Sequence, residues 1–303
     1  MQLAHPIVCV GIATLDLVHG IDAFPARPLK LRAQSFGTSL GGMAAVAACA
    51  IARLGGAAQF WGPVGDDAFG RSIRAELDDA GVHVAAVAPA VGASSSHSVV
   101  IVDRAGERLI VNHRGTALGC GADILPLERL HASALLADVR WPRGAQAMLD
   151  RANALGIPTV LDAEMGEDEA LHALVPRARH VIFSEPGFAQ WAQVDCESPH
   201  APAALAALCT AGAALAAVTR GERGVLYATP DGVDTLPAFA IDAVETLGAG
   251  DVFHGAYALA IAEGMSLVAA LRFASAAAAI RCTRVGGRSA IPPRHEVETL
   301  LAQ

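Results

Sequence analysis

The segment Glu245-Thr-Leu-Gly-Ala-Gly-Asp-Val-Phe-His-Gly255 concentrates more chemistry than any other stretch of this sequence. Gly248-Ala249-Gly250 lets the backbone turn tightly, and a helix-forming run follows at once. The first N–H groups of such a helix have no partner inside it. With the positive end of the helix dipole they make an anion site. Asp251 falls in that first turn. A carboxylate among unpaired N–H groups is expected to stay ionised at neutral pH, so it can accept a proton from a hydroxyl. An anion hole beside a base is what phosphoryl transfer requires, since that chemistry rests on charge stabilisation and positioning. Spacing alone also fits an aspartate that only stabilises a helix start, so both roles stay open at this level.

The elements that must position this segment follow from the alternation of short β-rich runs with longer Ala-rich helical runs. Ile7–Ile12, Gln59–Val64, Leu135–Val139, Thr159–Asp162, Val181–Ser184 and Ala216–Thr219 read as strands. Short apolar runs of this kind are typical of strands buried on both faces. Helices are expected at Gly42–Leu54, Ala68–Ala80, Ala145–Leu155, Ala201–Ala211, Ala249–Glu263 and Leu267–Arg281, with a last turn or two from Arg294. Gly55-Gly56 stops the first of them. Strand–helix–strand repetition implies right-handed crossovers and a mostly parallel central sheet flanked by helices, with ligand at the carboxyl ends of the strands. The Pro-containing stretch 14–38 and a hairpin at 98–112 break that rhythm. The expected organisation is therefore one α/β domain over 1–303, with an embedded small β lid from about 14–38 and 90–115.

Composition excludes other chemistries. The chain has 303 residues, with 53% hydrophobic and 17% charged, which rules out disorder. A net charge of −8 argues against nucleic-acid or anionic-membrane partners. The apolar run Met43–Ala52 is too short to span a bilayer, and the N-terminus lacks a signal pattern. Cys9, Cys49, Cys120, Cys196, Cys209 and Cys282 are scattered, which reads as reduced, buried thiols in a cytoplasm. Lys30 is the single lysine, and it is flanked by Leu29 and Leu31. A P-loop and a protein-kinase strand lysine are both excluded by that one fact. A Rossmann loop fails too, because Phe253 stands where the third glycine would be.

The Gly248–Asp251 segment resembles the signature of the ribokinase/phosphofructokinase-B (PfkB) family of sugar kinases. Gly41-Gly42 opening an Ala-rich helix, then Arg53-Leu-Gly-Gly56 and Val64-Gly-Asp-Asp67, resembles the second family signature. Matching order and near full-length coverage make the likeness specific. It implies a ribokinase-like α/β fold, ATP and Mg²⁺ as cofactors, a sugar as the small-molecule substrate, and a homodimer paired through the β lid. By the resemblance, Asp251 is the general base and Gly248, Ala249 and Gly250 the anion hole. Asp16, Gly41 and Gly42 match sugar-binding positions. Thr219, Gly221 and Gly224 match a nucleotide-phosphate loop, joined in the ATP site by Ser184, Glu185 and Gly287. Local sequence reads the Thr219 loop equally well as a tight turn between strands.

Three departures stand out. The family's N-x-x-E motif is here Ser184-Glu185-Pro186-Gly187, without its final acid. Magnesium would then be held by ATP phosphates and water, with help from Glu185. Val46 replaces a sugar-contacting Asn of ribokinases. Glu245 and Leu247 replace Asp and Thr near a monovalent-cation loop, which argues against potassium activation.

A closer likeness is to bacterial sulfofructose kinases, carried by Leu136-Ala-Asp-Val-Arg-Trp141, Phe183–Gly187, Asp251–Gly255, Arg272-Phe-Ala-Ser275 and Cys282–Arg288. It implies phosphorylation of C1 of 6-deoxy-6-sulfofructose, with the sulfonate held by Lys30, Asn112 and Arg140. An ammonium and a forked guanidinium suit a tetrahedral anion. A solvated Lys30 and an ion-paired Arg140 are the plainer readings. The alternatives are a ketohexokinase, fructokinase or ribokinase, a nucleoside or hydroxymethylpyrimidine kinase, and a non-catalytic sugar or nucleotide sensor on the same fold.

Overall fold

The computed structural model describes residues 3–84, 86–118 and 121–303. The first half runs β1 (Ile7–Val10), β2 (Thr14–Gly20), β3 (Ser35–Gly41), α1 (Met43–Arg53), β4 (Ala58–Gly65), α2 (Ala68–Asp79), β5 (Val82–His83), β6 (Val87–Ala90), β7 (Ser96–Val102), β8 (Arg108–His113) and β9 (Ala134–Asp138). There follow α3 (Pro142–Ala154), β10 (Thr159–Ala163), α4 (Asp168–Leu174), β11 (His180–Ser184), α5 (Glu185–Ala192), α6 (Ala201–Thr210) and β12 (Leu215–Thr219). The chain closes with β13 (Val225–Thr229), β14 (Gly232–Leu236), α7 (Ala249–Ala262), α8 (Leu267–Cys282) and α9 (Arg294–Leu301).

The large sheet has the order β14-β13-β12-β11-β10-β9-β1-β4-β5, with β6 paired to β4. It is parallel from β12 through β5 and turns antiparallel only at β13 and β14. Every residue of β1, β9 and β10 is buried. Helices cover both faces, which is why these strands read as unbroken apolar runs rather than alternating ones. Alternation persists within them all the same. Ile7 and Cys9 pack with α1, α7 and α8, while Val8 and Val10 pack with α3 and α6.

A second sheet of four strands has the order β3-β2-β7-β8. The stretch read from sequence as a polar insertion contains β2 and β3, an antiparallel pair that continues through β7 into the expected hairpin. Thr14-Leu-Asp-Leu-Val alternates as a half-buried strand should, but the prolines of the following connection masked the pattern. The β13–β14 hairpin also escaped the sequence reading, because it breaks the strand–helix rhythm. No helix among the described residues is long and apolar enough to cross a membrane. Cys9, Cys49, Cys196 and Cys209 are buried free thiols and Cys282 is half-buried, while Cys120 lies outside the described residues. Burial pushes the Cys49 thiol up to about 12.

Candidate active site

The carboxyl ends of the parallel strands, the start of α7 and one face of the four-stranded sheet enclose a cleft of about 710 Å³. The sheet's contribution follows from register. Ser39, Asp16, Ser98 and Asn112 are paired across β3, β2, β7 and β8, so their side chains share one face. Asp16, Ser98 and Asn112 line the cleft together with Thr14, Ser96 and Ile110. The row is internally bonded: Asn112 Nδ2 donates to Ser98 Oγ at 3.1 Å, and Thr14 Oγ1 and Ser96 Oγ lie 2.9 Å apart. Burial raises the Asp16 carboxyl, partly offset by a hydrogen bond from Ser98. The Asp16 carboxylate lies against Gly41, where a side chain would collide with it, and Gly42 lines the cleft beside it.

The opposite wall is Arg140, Trp141 and Asp251. Asp138, fully buried at the end of β9, accepts from Arg140 N at 2.8 Å and from Ala44 N at 3.0 Å. One carboxylate thereby ties the Arg140 turn to the start of α1. Burial pushes Asp138 up to about 6, against those two N–H donors. Arg140 is exposed on the cleft wall and forms no ion pair among the described residues. Arg114 also lines the cleft, paired with Glu167.

Gly248 caps α7 at φ +74°, a conformation that costs an L-residue with a side chain. Ala249 N bonds Thr246 O at 3.2 Å, while the N–H groups of Gly250 and Asp251 have no backbone acceptor. A Cβ at Gly250 would meet nothing within 4 Å, so a side chain could be accommodated there. His254 locks the turn from beneath. Its Nδ1 sits 2.7 Å from Gly250 O and 3.4 Å from Asp162 Oδ2, and its Nε2 lies 3.2 Å from Ile182 O.

The ionisation expected of Asp251 is reversed here. Burial first, then the charge of Asp162, pushes its carboxyl up to about 8, with His254 pulling the other way. Asp138 and Glu164 add to the upward push. Buried Asp162 is itself raised well above the ordinary carboxylate range. Burial, with the charges of Asp162, Asp138 and Glu164 added to it, overturns the ionisation that the sequence reading expected from the helix start. Oxygen donors in this crowd, short of any all-protein cage among the described residues, suit magnesium, which keeps water and phosphate ligands.

Ser184 and Thr219 are register partners at the ends of β11 and β12, and Thr219 Oγ1 donates to Phe183 O at 3.2 Å. Gly221 and Gly224 bracket the turn that follows. Gly287 begins a short turn packed against Ser39 of the smaller sheet. None of these residues lines the cleft.

Two expected ligands sit elsewhere. Glu185 is paired with Arg223 and accepts from the Cys196 thiol, both at Oε2, so its charge is balanced by a guanidinium. Lys30 is exposed on the β2–β3 connection and does not line the cleft. Glu245 is held at Oε1 by Arg108 and at Oε2 by buried Arg281 and by Gly286 N. Two guanidinium groups thus balance the Glu245 carboxylate. Sequence reasoning missed Ser98, Asp138, Asp162, Glu164 and His254. The strand-end pattern Asp162-Ala-Glu164, at the carboxyl edge of a buried strand, was the available signal for two of them.

Known proteins resemble this chain along nearly its whole length. The model of the pfkB family carbohydrate kinases matches residues 4–294. The ribokinase of Bacillus subtilis is 28% identical over 310 residues, covering 98% of this chain and 99% of that protein. The crystal structure of a candidate ribokinase from Agrobacterium tumefaciens superposes with a TM-score of 0.90 at 37% identity, covering 99% of this chain and 98% of the other. Arabidopsis thaliana ribokinase, solved with ribose and ATP, gives a TM-score of 0.85 at 25% identity over the whole of both chains.

Proposed function

Because the chain belongs to the pfkB family of carbohydrate kinases, we propose that it transfers the γ-phosphate of ATP to a primary hydroxyl of a sugar held between Asp251 and the Asp16–Ser98–Asn112 row. The observation that carries this reading is the meeting of Asp16, Asn112, Arg140 and Asp251 on one cleft, although they are far apart in sequence. Asp16 accepts from sugar hydroxyls. Asp251 takes the proton from the attacking hydroxyl, while the N–H groups of Gly250 and Asp251 receive the charge that develops on the transferring group. Ser184, Thr219, Gly221, Gly224 and Gly287 form the nucleotide side. Magnesium bound with the nucleotide supplies positive charge against the phosphates and the crowded carboxylates. The four-stranded sheet acts as a lid that keeps water from the phosphate.

The sugar we propose is 6-deoxy-6-sulfofructose, phosphorylated at C1. Arg140 and Arg114, with the Asn112 amide, give the cleft an end suited to a tetrahedral anion. Lys30 joins them only if the lid connection moves inward. Ribose or fructose is the second reading, ribose being favoured by the ribokinases that this chain resembles. The lid's outer face carries exposed Phe36, Leu109 and Val111, on the opposite side from Ile110 and Asn112. A second copy of the chain is the proposed cover for that apolar face. We also propose that potassium is not required, since Arg108 and Arg281 already balance Glu245.

A panel of anionic and neutral sugars with Mg·ATP, scored by ADP release and by the mass of the product, tests the reading. ADP release that depends on sugar supports a kinase. Nucleotide binding with no sugar-dependent turnover on any member would favour the sensor instead.

A further inference from the structure

Gly187 lies three residues after Ser184, in the first turn of α5, where the family motif carries its acid. No side chain fits there. A Cβ on Gly187 would lie 2.1 Å from the Ala163 carbonyl oxygen and 3.0 Å from the Glu164 carbonyl carbon. The end of β10 occupies the room that an acidic side chain from α5 would need. The side chain that leaves that same stretch of backbone is Glu164.

Ser184 links the two. Its Oγ accepts from Gly187 N at 3.0 Å and donates to Glu164 Oε1 at 2.7 Å. Met165 N donates to the same oxygen at 2.7 Å. Two donors on Oε1 fix the carboxylate's orientation, and Oε2 has no protein donor among the described residues. Glu164 is half-buried and near enough for its charge to act on Asp251, Asp162 and His254.

We propose that Glu164 is the carboxylate that positions the magnesium of the nucleotide complex, standing in from β10 for the acid that α5 cannot carry. This rests on the kinase reading above. Magnesium in phosphoryl-transfer sites is bound through one or two carboxylates plus phosphate oxygens and water, so one well-oriented carboxylate suffices. The other acids nearby are committed. Asp138 uses both oxygens on backbone N–H groups, Asp162 faces His254, and Glu185 is paired with Arg223. Asp251 is reserved for the sugar proton.

The test is Mn²⁺ binding to the full-length protein with ADP, read by the loss of the free-ion EPR signal, beside calorimetric ADP binding in EDTA. Glu164→Gln should weaken Mn²⁺ in the ternary complex about tenfold or more, with metal-free ADP affinity changed less than about twofold. Ser184→Ala, which removes the orienting donor together with the cap on Gly187 N, should weaken it severalfold. Mn²⁺ affinity within twofold of wild type in Glu164→Gln overturns the proposal, as does a loss that appears in Glu185→Gln instead. If Glu164→Gln does not fold, an unchanged Mn²⁺ affinity in Ser184→Ala overturns it. Neither readout needs a sugar. A wild-type protein that binds no nucleotide would sink the kinase reading, whereas metal retention in the variants would sink only the role of Glu164.

Discussion

The two ends of the cleft are built in opposite ways. The proposed phosphoryl end is a contiguous segment, Gly248–Asp251, at the start of a helix buried from Val252 to Ala260. α7 packs so closely on α1 that a Cβ at Gly255 would lie 2.4 Å from Ala47 O. The sugar end is a row of side chains from separate strands on a sheet with an exposed outer face. Charge stabilisation in a transition state requires donors that do not reorganise, and backbone N–H groups on a packed helix provide them. Recognition needs side chains that can be exchanged, and an edge sheet lets them change without disturbing the core.

The largest effect should come from the rigid end. Asp251→Asn should leave fold and ATP binding intact but lower kcat by on the order of 10²–10⁴, the scale of losing a general base. More than a tenth of the wild-type rate in steady-state assays would remove Asp251 from that role. Gly250→Val comes next. Open space around Gly250 means the variant folds, but its side chain stands where the transferring phosphoryl group approaches. We expect kcat/KM for ATP to fall by about 10², comparable to losing one anion-hole donor. Unchanged ATP kinetics would show that the donors face something else.

The same end should set the pH dependence. Asp251 must be ionised to accept a proton, and burial with Asp162 holds its carboxyl up to about 8. The pH profile of kcat/KM should therefore fall by about tenfold per unit on its acid limb below that value. The linked stability has the opposite slope. Asp138, Asp162 and Asp251 all keep protons in the folded state that the unfolded chain has already released. Thermal stability of the ligand-free protein should then decline as pH rises from about 4 toward 8. A melting temperature that climbs over this range would contradict the crowded-carboxylate picture.

At the recognition end, Arg140→Ala should weaken an anionic sugar by about 1.5–3 kcal/mol, the scale of a charged hydrogen bond, and a neutral sugar far less. Lys30→Ala, outside the cleft, should cost less than Arg140→Ala. Equal losses on all sugars in the substrate panel would refute an anion-binding end. The smallest effect is expected from potassium. Replacing it with sodium or a bulky organic cation should leave kcat unchanged, because Arg281 and Arg108 hold Glu245 in the loop before the anion hole.

The turn and helix start at Gly248–Asp251 were legible in the sequence because all their parts are local. A tight glycine turn, a helix start and a first-turn carboxylate lie within a few residues, and local backbone geometry dictates what they make. The strands buried on both faces were legible for a related reason, since their apolar runs need no knowledge of partners. Tertiary structure alone decided the rest. It placed Asp16, Ser98 and Asn112 in one row through strand register, which depends on pairing across the chain. It buried Asp138, Asp162 and Asp251 near Glu164, and that burial, with their mutual repulsion added, reversed the ionisation that the helix start suggests. It also turned Glu185 to Arg223 and left Lys30 in solvent. Residue type gives the charge a side chain carries; only packing decides which other charges it must face.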